Sequence, residues 1–548
     1  MKGYKRHIIL SVLFVLLLSA AASAAPTTLT QAEDMVKGWL TYSDSSPFEN
    51  IVGGLSRVEA YGENGRVADP SEALYYAAFL EPSGVVLIPA DDTLEPVTAF
   101  APKAASYGPA PKNELYDLIG ASISIQVKSL RSGSRRASGA SEAREKWADL
   151  IELGQNPKRS AGPLTGNPSE VWVNALLNTE WGQVSGDNTP VYNSDTPKNY
   201  PAGCGAVMMA QIMNYFAHPK VGIKDIVGDR AYIVRVDGVE ETRTLLGSTR
   251  EDGRYWGDGG AINNSDIGRL IADAAVSIGS NFGHNETSST VNGIADALIN
   301  TFGYFSAKLA GGGISGEINS HTLSTIINSN LDAGMPVGLG IFVKSDFNSG
   351  SPTGHAVVVD GYGYDSLYGS FYHHVNMGWG PGYTDDNVWW FALPQIAEYD
   401  MVNSVIYNIY PEDRRPAAVY GREIISGRVI SSNDVRASSA QVTLQGGGIR
   451  ETVRAASDGK FVFTQLPSLT AFRITTTLAG HTYPVITVTT GNSDSPREMN
   501  DYTSRTGNVW NVQIKEEDAA GGGCGIAQYP VLLALTGVCV ILGRKRRR

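Results

Sequence analysis

The stretch Pro201-Ala202-Gly203-Cys204-Gly205-Ala206-Val207-Met208-Met209-Ala210-Gln211-Ile212-Met213 decides how the rest of the chain is read. Its cysteine follows a glycine and opens an apolar, helix-compatible run. A thiol at a helix N-terminus meets unpaired backbone N–H groups and the positive end of the macrodipole, and both favour thiolate. Taken alone, a cysteine among Ala, Val and Met is more often a small buried hydrophobe. Partners elsewhere in the chain must decide between nucleophile and filler.

The context makes this cysteine conspicuous. The chain has 548 residues and three cysteines, Cys204, Cys524 and Cys539, the last two in the extreme C-terminal tail. That length implies about three to four domains. Lys2, Lys5 and Arg6, the apolar Ile8 to Leu18 and the small-residue site Ala22-Ser23-Ala24 have the three parts of a secretory signal, so residues 1–24 are expected to be removed and the protein exported. Exported chains commonly use disulfides, and here none can tie the domains together, so a lone thiol in an oxidising compartment is a liability unless it is used. A net charge of −11 gives no reason to expect nucleic acid as a partner.

Residues 25–130 predict a small α/β domain: an amphipathic helix over Gln31 to Leu40, then strands at Leu74 to Leu80 and Gly84 to Ile88 with a turn at Asp91-Asp92. It has neither histidine nor cysteine, so its work is expected to be structural or inhibitory. Residues 131–168 turn to Ser, Gly, Arg, Lys and Pro, with Arg135-Arg136 and Lys158-Arg159. That composition predicts a basic linker open to proteolysis, or an ordinary tether.

Residues 169–412 hold the chemistry. Trp181-Gly182-Gln183 offers a neutral side-chain donor for an oxyanion, beside the backbone N–H of Cys204. Among the histidines, His355 opens Gly354-His355-Ala356-Val357-Val358-Val359-Asp360-Gly361-Tyr362, a glycine-bounded strand whose first side chain projects at a sheet end. From there it can meet a thiol carried by another layer. His373 and His374 are adjacent, so on a strand they face opposite ways and cannot both serve one site. In His374-Val375-Asn376-Met377-Gly378-Trp379-Gly380, Asn376 can accept the imidazole N–H and Trp379 can shield it, and the sequence leaves open which supports the histidine. The order Cys, His, Asn, with Cys204 and His355 about 150 residues apart, fits a papain-like arrangement. No HExxH or CxxC spacing occurs, so neither a metal nor a cofactor is expected.

The segments around Cys204, His355 and Asn376 together resemble the streptopain family of bacterial cysteine peptidases, over about Pro168 to Pro411. The resemblance implies a two-lobed papain-like α+β domain with Cys204 as nucleophile and His355 as base. It places Gln183 at the oxyanion glutamine and Trp379 at the tryptophan beside the histidine. Gly84 to Asp92 with Pro96-Val97 resembles the family's propeptide, which implies a zymogen whose propeptide blocks the cleft until the linker is cut. Two departures stand out: Met377 occupies a position where the family often has Trp, and the second cysteine of the local papain signature is absent.

Residues 420–515 change to short alternating strands and predict an all-β sandwich that resembles carboxypeptidase-regulatory-type modules, a spacer or binding unit. Residues 519–548 run from Gly521-Gly522-Gly523-Cys524 through the apolar Ile526 to Leu542 into Arg544-Lys545-Arg546-Arg547-Arg548. This resembles a bacterial envelope sorting tail, with a plain membrane anchor as the alternative. The reading is therefore an exported, envelope-attached cysteine endopeptidase acting on proteins or peptides. Its rival is a papain-like scaffold that adheres through the sandwich.

Overall fold

A computed structural model describes residues 26–43, 54–63, 65–67, 69–101, 104, 107, 114–133, 140–156, 170–184, 192–249, 253–257, 260–311, 317–344, 346, 353–365, 370–380, 389–396, 399–416, 419–431, 436–493 and 506–516. The expected signal at 1–24, the expected tail at 519–548, and residues 134–139 and 157–168 of the expected linker lie outside them. Among the described residues no helix is long and apolar enough to cross a membrane.

The helices are α1 (Leu29–Ser43), α2 (Glu114–Arg131), α3 (Ala140–Gln155), α4 (Cys204–Phe216), α5 (Ile223–Val227), α6 (Asn264–Ser277), α7 (Asn292–Asn300) and α8 (Ser320–Asp332). The N-terminal strands are β1 (Leu55–Gly62), β2 (Gly65–Arg66), β3 (Tyr75–Leu80), β4 (Val85–Pro89) and β5 (Ala99–Ala101). The central strands are β6 (Glu170–Val173), β7 (Ala231–Val236), β8 (Val239–Thr244), β9 (Asn281–Phe282), β10 (Thr287–Ser288), β11 (Ser306–Gly311), β12 (Val337–Phe342), β13 (Gly354–Asp365), β14 (Ser370–Asn376), β15 (Trp390–Phe391) and β16 (Met401–Tyr410).

Strand β13 is apolar on both faces, and its alternation feeds two cores. Val357 and Val359 join Leu339, Ile341 and Val375, whereas Ala356 and Val358 join Met208, Ile271 and Phe282. Helix α4 lies in the second core with every residue from Gly205 to Met213 buried, all of them small or apolar except Gln211. The cysteine helix and the histidine strand therefore pack together, and each begins at the same side of that contact.

The large sheet runs β11-β16-β12-β13-β14-β15-β5-β4-β3-β1-β2, with β6 on β13. The N-terminal strands thus do not form a small sheet of their own. Trp390 pairs with Phe100 and Phe391 with Ala99, so β15 joins β5 antiparallel. The Phe100 ring packs at 5.4 Å from Tyr372 and 6.5 Å from Trp390, which seals the junction with aromatic surface.

The linker expected over residues 131–168 needs correction, because α3 occupies much of it. Ala143, Trp147 and Leu150 lie three and four residues apart and make a narrow buried stripe among Glu, Arg and Lys, which composition alone conceals. This stripe faces α1 at backbone contact: a Cβ on Gly38 would lie 2.0 Å from the Leu150 carbonyl oxygen, and one on Gly154 1.8 Å from that of Asp34. The Trp147 indole donates to the Leu94 carbonyl at 3.0 Å.

The C-terminal strands are β17 (Glu423–Ile430), β18 (Gln441–Gly446), β19 (Ile449–Arg454), β20 (Lys460–Leu466), β21 (Ala471–Thr477), β22 (Ile486–Thr489) and β23 (Val509–Lys515). They form sheets β20-β17-β23 and β19-β18-β21-β22 around one shared core. This unit is docked on the central region through buried polar groups. Asp332, at the end of α8, accepts 2.8 Å hydrogen bonds from the Tyr362 and Ser426 hydroxyls. The Arg428 guanidinium sits 3.6 Å from the Trp172 ring centroid, with Nη2 3.8 Å from Asp332. Asn508 Nδ2 donates to Asn408 Oδ1 and to Ser329 Oγ, both at 2.9 Å.

Candidate active site

Helix α4 starts at Cys204, and Gly203 before it has φ of 89°. That left-handed backbone favours glycine, and a Cβ there would also press to 3.0 Å from the Thr287 carbonyl oxygen. The chain thereby turns sharply into the helix and leaves the thiol half-buried at its N-terminus. Burial pushes the Cys204 thiol up. The hydrogen bond and charge of His355, with the backbone groups of Ala356 and Gly205, outweigh that effect and hold the thiol below its ordinary value.

His355 is the second residue of β13, buried opposite Ile341 of β12. Its Nε2 lies 2.8 Å from the Met377 carbonyl oxygen. A carbonyl can only accept, so Nε2 carries the proton and Nδ1 is the nitrogen left for the thiol. Two aromatic rings stack on the imidazole: Trp379 at 5.6 Å and Tyr399 at 5.9 Å between centroids. Met377, which replaces an expected aromatic, is itself fully buried, and the backbone at that position holds the histidine.

Asn376 does not touch His355 through its amide. Its Oδ1 accepts from the Gly378 N–H at 3.0 Å and from Gln211 Nε2 at 3.1 Å. Its Nδ2 donates to the Thr179 carbonyl at 2.8 Å and to Gln211 Oε1 at 3.1 Å. The Thr179 hydroxyl also donates to Gln211 Oε1, at 2.7 Å. Asn376 therefore braces the turn that carries the Met377 carbonyl, while Trp379 contacts the ring directly.

Gln183 is brought to the same place by its backbone. Its carbonyl accepts from the Ala202 N–H at 2.9 Å, two residues before Cys204. A Cβ on the adjacent Gly182 would lie 2.7 Å from the Trp379 carbonyl oxygen. Among the described residues the half-buried Gln183 side chain has no hydrogen-bond partner. Cys204, His355, Trp379 and Gln183 thus converge, with Asn376 one layer behind.

The neighbouring histidines are occupied elsewhere. Burial pushes His373 down to about 3, so it is neutral, and its Nε2 meets Asn328 Oδ1 at 2.8 Å. His374 Nδ1 pairs with Asp360 Oδ1 at 2.6 Å, and the other Asp360 oxygen accepts from the Leu177 N–H at 2.8 Å. Sequence reasoning missed Gln211, Thr179, Tyr399 and the Met377 carbonyl. Gln211 had a usable signal: an amide inside an apolar helix must find partners when buried. A backbone carbonyl has no residue signature at all.

Part of the chain is similar to known proteins. Residues 181–387 match the model of the Peptidase C10 family, and that span contains Cys204, His355, Gln183, Asn376 and Trp379. The central segment is thus similar to Peptidase C10 sequences. Streptopain of Streptococcus pyogenes serotype M1 is 27% identical over 191 residues, 32% of this chain. The chain spans only 43% of that relative's length. A solved fragment of prointerpain A from Prevotella intermedia is 18% identical, with 62% of this chain and 96% of that one covered, at a TM-score of 0.39.

Proposed function

We propose that the protein is a cysteine endopeptidase in which Cys204 attacks the scissile carbonyl as thiolate and forms a thioester. His355, charged in the resting pair, protonates the leaving amine and then activates water to hydrolyse the thioester. Gln183 and the Cys204 N–H receive the oxyanion, and Trp379 shields the histidine. The observation that carries this reading is the pairing of a helix-terminal thiol, held below its ordinary value, with an imidazole whose far nitrogen is committed to a carbonyl.

In this proposal residues 25–130 act as propeptide in an exported zymogen, and the tail attaches the protein to the envelope. Activation cuts fall at Arg135-Arg136 or Lys158-Arg159, on either side of α3. The test compares full-length wild type with Cys204→Ala under reducing conditions, for self-cleavage and for digestion of denatured casein. The proposal requires wild type to do both and the variant neither. Equal inertness of the two proteins, also after nicking by a trace protease, refutes it.

A further inference from the structure

Gln211 is fully buried in the middle of α4, seven residues after Cys204. It touches two other segments of the site through the bonds given above. The Asn376 amide is oriented without ambiguity, because its oxygen receives a backbone N–H and its nitrogen faces a backbone carbonyl. That orientation fixes Gln211: Oε1 accepts from Asn376 and Thr179, and Nε2 donates to Asn376. A two-bond amide pair therefore ties the cysteine helix to the turn after β14, and the Thr179 bonds tie both to the segment that leads to Gln183.

We infer that Gln211 is a positioning residue for the dyad, one that locks α4 to the Asn376–Gly378 turn so that the Met377 carbonyl holds His355 against Cys204. This rests on the dyad reading above. Gln211 reaches the thiol only through that chain: amide pair, turn, carbonyl, imidazole. A helix anchored only by apolar contacts can slide or rotate by fractions of an ångström, whereas a reciprocal amide pair has one register. The functional geometry is sensitive on that scale, since a displacement of about 1 Å at a reacting pair costs about a hundredfold in rate.

The test is the rate of iodoacetamide alkylation at Cys204 in the full chain. It is read by peptide mass mapping because the chain also carries Cys524 and Cys539, and it is measured from about pH 5 to pH 8, where a paired thiolate differs from a free thiol. Gln211→Met removes the polar pairing at similar volume, and its alkylation near pH 6 should fall about tenfold to a hundredfold. Gln211→Glu is the sharper probe. Burial favours a neutral carboxyl, whose O–H can replace the donor to Asn376 Oδ1, while the ionised form presents oxygen to oxygen. Its alkylation should match wild type at the acid end and fall behind as pH rises. Thr179→Val loses the hydroxyl bond to Gln211 while the Gln211–Asn376 amide pair stays in place, and it should lower the melting temperature without moving the profile.

The inference fails if both Gln211 variants follow the wild-type profile while melting lower, or if Thr179→Val moves the profile as far as Gln211→Met does. If Gln211→Met does not fold, the pH-dependent divergence of Gln211→Glu alone decides. Should wild type itself alkylate like a free thiol, the dyad reading fails first, and the two failures are thereby told apart.

Discussion

Replacing Arg428 by Met should unseat the C-terminal sandwich, and the loss should depend on pH. The Arg428 side chain is 2% exposed and that of Asp332 is 0% exposed, so each charge depends on protein partners. Removing one member of such a buried pair generally costs about 3–5 kcal/mol. The stack of the guanidinium on Trp172 accounts for up to about 2 kcal/mol of that. Burial already holds the Asp332 carboxyl above its ordinary value, against the opposing charges of Arg428 and Lys460. A carboxyl raised in the folded state favours folding below its unfolded pKa and loses that contribution as pH rises through the folded value. Without Arg428 the folded value rises further, so the deficit should be large near pH 8 and shrink on acidification toward pH 4, roughly the unfolded value. Adding Asp332→Asn removes the stranded charge, keeps an oxygen acceptor for one of the Tyr362 and Ser426 hydroxyls and offers an amide N–H to the other, so the double variant should recover much of the loss. Urea and thermal unfolding of the full chain at both pH values provide the measurement. A deficit under about 1 kcal/mol, or an equal deficit at both pH values without recovery in the double variant, refutes the reasoning.

His355→Ala leaves Cys204 with burial as its dominant influence, so its thiol should rise. Alkylation near pH 6 should slow at least tenfold and recover toward alkaline pH, read at the Cys204 peptide. Gly203→Ala places a Cβ at positive φ against Thr287, costing about 1–3 kcal/mol by thermal unfolding and slowing casein digestion through displacement of Cys204. Tyr399→Leu removes one of two faces stacked on an imidazolium, each worth about 0.5–2 kcal/mol. It should move the alkaline limb of the pH–rate profile to lower pH, and an unmoved limb would show that Tyr399 serves only as packing.

What could be read from residues alone was the set of candidate residues that short motifs single out. Cys204 and His355 were found because glycine beside each leaves a side chain at the end of an element, a local property. Gln183 needed only its company. The division of labour between Asn376 and Trp379 was not legible, since it depends on which way a turn folds over β13. At Met377 the side chain differs from the aromatic the family often has, yet the contact with His355 is made by backbone. The helix α3 was hidden because its apolar residues are interspersed with charged ones and follow a Ser-, Gly- and Arg-rich run, so only their spacing reveals them. The union of β5 with β15 was beyond local reading, because it joins residues almost 300 positions apart through two short strands.

That union bears on what a cut after residue 156 would accomplish. The two strands that meet lie on opposite sides of the proposed nick, as do Tyr107 and Trp389, whose rings pack at 6.3 Å. Scission would sever the chain and leave the hydrogen-bonded ladder and the aromatic seam intact. A nicked molecule would then run as two bands under denaturing conditions and as one particle in native buffer. Stripping away the smaller piece would bare β15 as an apolar edge, the kind of ledge on which another strand readily settles.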